Sequence, residues 1–147
     1  MTRSQRLEPL ARLAEKRELE AARAVAATLQ TLTERRQRHA ELESYLTEYH
    51  GRLHTQVSRG MASAEVQRYR GFLQQLETAI AHQAAAVSAA QAAHEQAQRQ
   101  WRELHTRTQS LDKTITRARG EENARKAQRE QRENDDRVPR AEGGDAP

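Results

Sequence analysis

Apolar residues recur along the second half of the chain at alternating steps of three and four residues. Twelve of the 15 positions on this stripe are apolar. The positions are Val66, Tyr69, Leu73, Leu76, Ile80, Gln83, Val87, Ala90, His94, Ala97, Trp101, Leu104, Thr108, Leu111 and Ile115. A repeat of 3.5 residues sustained over many turns predicts a helix that supercoils around a partner helix.

The first half of the chain carries a weaker stripe with the same period. Eight of its 14 positions are apolar, and Arg36, His39 and Glu43 interrupt its middle. The positions are Ala11, Glu15, Glu18, Ala22, Val25, Leu29, Leu32, Arg36, His39, Glu43, Leu46, His50, Leu53 and Val57. Because each half presents one apolar stripe, we expect the two halves to bury their stripes against each other.

A short break separates the two stripes. Gly60 permits backbone angles that other residues avoid, and Glu65 lies where the first turn of a helix favours an anion. We therefore predict an all-α fold, a long two-helix antiparallel coiled-coil hairpin: helix 1 at about 5–57, a turn at about 58–63 and helix 2 at about 64–119. This register pairs residues whose numbers sum to about 122, such as Leu32 with Ala90.

The composition fits such a hairpin better than a globular domain. Hydrophobic residues make up 35% of the chain and charged residues 31%, which suffices for a narrow seam but not for a broad core. The predicted coiled-coil domain covers residues 1–119, and residues 120–147 are predicted to be a frayed helix and a disordered charged tail. The chain has no cysteine and no apolar stretch of membrane-spanning length, so we expect a cytoplasmic protein.

Several apolar residues beside the stripes, together with Leu76 of the second stripe, form a predicted patch near the turn. The patch consists of Leu42, Tyr45, Tyr49, Phe72, Leu76 and Ala79. One interpretation is a surface that binds a partner protein. The alternative is a shift in the phase of helix 1, which would place Leu42, Leu46, Tyr49 and Leu53 in the core.

Leu10 and Leu13 also lie beside the first stripe, at the opposite end of the predicted hairpin. They are either a second contact surface or part of a frayed helix start. The sequence pattern alone does not separate these two interpretations.

The chain lacks the patterns of catalysis. His50 and His54 are four residues apart, but no third ligand accompanies them, so we expect no metal site. No glycine-rich nucleotide loop is present, and we expect no catalytic residues, cofactor or small-molecule ligand. The net charge of +4 comes from closely mixed signs, which favours a solvated helix surface over nucleic-acid binding.

Four segments of the chain resemble the flagellar export protein family called FliJ. They are residues 13–23 (LAEKRELEAAR), 42–53 (LESYLTEYHGRL), 59–83 (RGMASAEVQRYRGFLQQLETAIAHQ) and 101–109 (WRELHTRTQ). The resemblance covers about residues 7–115 and rests on the order and spacing of these segments, since no single short motif is diagnostic.

The resemblance implies a stalk similar to the central (gamma) subunit of rotary ATPases. Its open end would enter the hexameric ring of the export ATPase FliI, with Leu10 and Leu13 as candidate contacts. The apolar patch defined above would bind the export gate protein FlhA, although Gln83 stands where the family has a histidine. The resemblance also implies binding of flagellar export chaperones, and association with the inner face of the cell membrane only through partners.

Two other functions remain as alternatives to this interpretation. One is a generic structural coiled-coil adaptor, and the other is the equivalent stalk of a virulence-type secretion system. Neither the stripes nor the composition separates them from a flagellar stalk.

Overall fold

The computed structural model describes residues 1–137 and contains two long helices. Helix α1 comprises Arg3–Ser58, and helix α2 comprises Ser63–Arg137. The described residues contain no strand. The predicted all-α helical hairpin is therefore confirmed.

The turn between the helices is four residues long and centres on a glycine. Gly60 has a φ of 89°, which side-chain-bearing residues rarely adopt, and its N–H donates to the carbonyl of Val57 at 3.1 Å. The amides of Glu65 and Val66 both donate to the carbonyl of Ala62, which starts α2. The chain thus reverses direction where the two stripes are interrupted in the sequence.

The helices divide into two units, which we call the terminal unit and the turn unit. Of the described residues, the terminal unit contains Met1–Glu18 and those from Glu103 onward, and the turn unit is Leu19–Arg102. Hydrogen bonds between helices join Ser4 to Glu122 in the terminal unit and Thr28 to His94 in the turn unit. Within each unit, rising residue numbers on α1 face falling numbers on α2, so the helices are antiparallel.

The stripe of α2 lies in the interface as predicted. Every position from Val66 to Ile115 on the predicted stripe is buried or half-buried. The spacing then continues for two more steps, to the buried Ala118 and the half-buried Glu122. The seam of α2 is therefore longer than the predicted stripe.

The stripe of α1 is correct at every second position, whereas all the positions between them except Ala22 are exposed. Ala11, Leu32 and Leu46 are buried or half-buried as predicted, whereas Glu43 and His50 are exposed. The preceding residues, Leu42 and Tyr49, take their places in the interface. The chain therefore follows the alternative that placed Leu42, Leu46, Tyr49 and Leu53 in the core.

Helix α2 runs beyond the predicted seam to Arg137. All side chains of residues 123–137 are exposed, because α1 begins at Arg3, opposite Glu122. The predicted disordered tail, residues 138–147, lies outside the described residues.

Candidate functional site

The predicted patch lies in the turn unit, where its six residues differ in exposure. Leu42 is only 8% exposed and forms the buried base, while Tyr49, Leu76 and Ala79 are half-buried. Tyr45 and Phe72 are 49% and 45% exposed. Leu42 is therefore part of the helix interface, and the accessible surface of the patch is mainly aromatic.

Ring contacts tie the two helices together within the patch. The rings of Tyr49 and Phe72 have centroids 5.0 Å apart at 75°, and those of Tyr49 and Tyr69 are 6.2 Å apart at 61°. Both are edge-to-face arrangements, which aromatic rings favour. The guanidinium of Arg52 also lies 5.2 Å from the centre of the Tyr49 ring. These contacts hold Phe72 in place although nearly half of its surface is open.

A concave surface adjoins the exposed face of Phe72. It has a volume of about 420 Å³ and is lined by Met61, Glu65, Arg68, Tyr69 and Phe72. An exposed aromatic beside a shallow apolar depression is the kind of surface that anchors a partner protein.

The other two predicted contact residues lie in the terminal unit. Leu10 and Leu13 are on α1, with exposures of 53% and 44%. They are one helical turn apart and therefore share a face. Since Ala11 and Ala14 form the buried seam here, both leucines remain available to a partner.

A carboxylate on α2 caps the start of α1 in the terminal unit. The backbone N–H of Ser4 donates to Glu122 Oε1 at 3.0 Å, and its hydroxyl donates to Oε2 at 2.7 Å. These bonds, the backbone one first, hold the pKa of Glu122 below its ordinary value of 4.5. The first turn of α1 contains no acidic residue, so the anion that the helix start favours comes from the other helix.

A second polar contact joins the helices near the boundary of the same unit. His105 Nδ1 donates to Glu18 Oε1 at 2.6 Å. This hydrogen bond lowers the pKa of Glu18 from its ordinary value of 4.5, against an opposing effect of burial. Both contacts stabilise the ionised form of a glutamate at the helix interface.

The histidine pair noted in the sequence belongs to no larger group of metal-ligating side chains within residues 1–137. His50 lies 3.7 Å from Glu77, and no group of three His, Cys, Asp or Glu side chains within residues 1–137 is arranged to hold a metal ion. Neither described helix contains a stretch long and apolar enough to cross a membrane.

Two features of the interface depart from the predicted stripes, although the sequence contains a signal for both. In α1, moving every second stripe position back by one residue replaces Glu15, Glu43 and His50 with Ala14, Leu42 and Tyr49, a more apolar set. In α2, continuing the same steps beyond Ile115 leads to Ala118 and Glu122.

The comparisons with known proteins give one match. The family model described as "Flagellar FliJ protein" matches residues 3–141. No curated protein and no solved structure shows a significant match to the chain.

Proposed function

The chain belongs to the flagellar FliJ family, and on that premise we propose that it is a stalk linking the flagellar export ATPase to the export gate. The family is a non-catalytic component of flagellar protein export. The match over residues 3–141 carries the proposal, and the exposed residues at predicted contact positions support it.

The gate protein FlhA is the proposed partner of the apolar patch. Tyr45 and Phe72 supply exposed aromatic surface, and aromatic side chains contribute disproportionately to protein interfaces. Tyr49 holds the Phe72 ring from the side, so little side-chain entropy remains to be lost on binding. Leu42 acts through packing beneath this surface, not through direct contact.

The gate proposal is tested by replacing the two exposed aromatic residues. We expect Tyr45→Ala with Phe72→Ala to weaken binding to the cytoplasmic part of FlhA by about tenfold or more, measured by titration calorimetry. Leu19→Ala with Leu29→Ala is the matched control, because these α1 leucines are 54% and 49% exposed outside the patch. Equal affinity of the patch variant and the control would exclude the patch as the gate contact.

The hexameric ATPase FliI is the proposed partner of the terminal unit. Leu10 and Leu13 give α1 an exposed apolar face at the start of the helix. A single stalk inside a ring of six equivalent subunits must contact them unequally. Such contacts would bias ring assembly and ATP turnover in a way that a spacer would not.

ATP hydrolysis by the cognate ATPase, at a concentration where the ring is only partly assembled, tests this second contact. We expect the chain to raise the rate and Leu10→Ser with Leu13→Ser to lose most of the increase, because the apolar contact is replaced by hydroxyls. Leu19→Ser with Leu29→Ser should keep it. No increase with the unaltered chain would favour the generic structural adaptor instead.

The family also suggests the wider setting of these contacts. We propose a cytoplasmic protein that reaches the membrane only through the gate and that escorts export chaperones. Co-purification of chaperones with the unaltered chain, and its loss from membranes in cells without FlhA, are the expected observations.

A further inference from the structure

The seam positions of α2 change from apolar to charged residues at the level where α1 begins. Its last apolar positions are Ile115 and Ala118, and Glu122 then bonds to Ser4. The same alternation of three and four residues next gives Arg125, Arg129 and Arg132, all exposed. Beyond the start of α1, arginines therefore continue the helix face that apolar residues occupy earlier in α2.

A groove in the terminal unit brings Arg125 and Arg129 together with the arginines at the start of α1. Its volume is about 800 Å³. The basic side chains that line it are Arg3, Arg6, Arg119, Arg125, Lys126 and Arg129. Glu8 and Glu122 are the acidic lining residues, which leaves an excess of four positive charges, as large as the net charge of the whole chain.

Both acidic residues of the groove already have partners. Glu8 is bonded to Arg119, and both carboxylate oxygens of Glu122 accept hydrogen bonds from Ser4. Arg3, Arg6 and Arg125 lie in the same groove next to the positive end of the α1 dipole. The groove is therefore suited to a ligand that brings its own negative charges.

We propose that this groove binds an acidic segment of a partner protein. Arginine guanidinium groups match carboxylates in bidentate geometry, and the seam spacing of Arg125 and Arg129 fits a helix with glutamates at the same spacing. Such a segment continues the two-helix interface beyond the start of α1. The proposal goes beyond the gate and ATPase contacts and does not depend on either.

A carboxylate ligand fits the groove better than a nucleic acid does. No aromatic side chain lines it, so bases have no stacking surface. The helix immediately beyond it carries Glu130, Glu133, Asp135 and Asp136, all exposed. These residues repel any long polyanion that extends past the groove, whereas a short acidic segment ends before them.

Fluorescence anisotropy with a labelled glutamate-rich helical peptide and the full chain tests the proposal. We expect saturable binding that weakens as salt is raised, and about tenfold weaker binding by Arg125→Gln with Arg129→Gln. Arg99→Gln with Arg102→Gln is the matched control, since it removes two exposed arginines of α2 in the turn unit. Glutamine preserves helix formation, which circular dichroism verifies.

Three outcomes would overturn the proposal. They are no binding by the unaltered chain, equal binding by the two double variants, and tighter binding of a single-stranded DNA oligonucleotide of matched charge. Because the assay contains neither the ATPase nor the gate protein, its failure would leave the proposed stalk function untouched. Conversely, peptide binding without ATPase stimulation would count against the stalk function alone.

Discussion

At the scale of single residues, burial separates side chains of the same type on one helix. Leu32 is 2% exposed and Leu29 is 49% exposed, although both lie on the stripe predicted for α1. A two-helix interface is one side chain deep, so a rotation of one helical position moves a leucine from the seam to its margin. Leu32 is the large side chain buried most deeply among the described residues, so we expect its packing to matter for stability.

Leu32→Ala should lower the free energy of unfolding by about 2–5 kcal/mol, because it removes a buried side chain and leaves a cavity. Urea unfolding followed by circular dichroism measures the change. Leu29→Ala serves as the control and should change stability by less than about 1 kcal/mol. A larger loss for Leu29→Ala than for Leu32→Ala would show that the seam of α1 is misplaced.

At the scale of elements, the turn depends on one backbone conformation. Gly60 has a φ of 89°, whereas Gly71 lies inside α2, and a Cβ at either position would meet no atom within 4 Å. Steric space is thus equal at both glycines, and the backbone angle alone distinguishes them. A side chain at Gly60 would therefore have room, but the backbone conformation required there is strained for any residue other than glycine.

Alanine substitutions at these two glycines should have opposite effects. Gly60→Ala should destabilise the protein by about 1–2 kcal/mol, since it forces a non-glycine residue to a positive φ. Gly71→Ala should stabilise it by about 0.5–1 kcal/mol, because alanine favours the helix. Thermal melting of both variants measures the difference, and a shift of the same sign in both would contradict the assigned turn.

At the scale of the whole molecule, hydrogen bonds from one helix to glutamates of the other link stability to pH. The pKa values of Glu18 and Glu122 are lowered from 4.5 by hydrogen bonds to the opposite helix. A carboxylate with a lowered pKa in the folded state binds protons less readily there than in the unfolded chain. Its stabilising effect is therefore complete above pH 4.5 and is lost as the pH falls through the folded-state pKa.

We expect the melting temperature to fall as the pH is lowered from neutral to below 4.5. Glu122→Gln should lower the melting temperature at neutral pH and reduce its further fall in acid, because this position no longer titrates. Glu103→Gln removes an exposed carboxylate of the same unit and is the control. Identical pH profiles for the two variants would mean that the cap on α1 contributes nothing to stability.

The amino-acid sequence was enough to predict the two helices, the turn at Gly60 and the seam of α2. These follow from local periodicity, from the rarity of helix breakers and from one glycine, all of which act within a few residues. It also contained the apolar positions of the patch and the resemblance to the FliJ family. The phase of α1 was more ambiguous, since its stripe is weak and several neighbouring positions can serve the seam.

The packing of the two helices selected which neighbouring position of α1 faces α2, and hence that Leu42 is buried while Tyr45 and Phe72 are exposed. It also brought the start of α1 against Glu122 and assembled the basic groove. These features join residues more than 100 positions apart, and their side chains are polar and follow no apolar pattern. Such contacts depend on where the ends of the two helices lie within the terminal unit, which no local sequence pattern specifies.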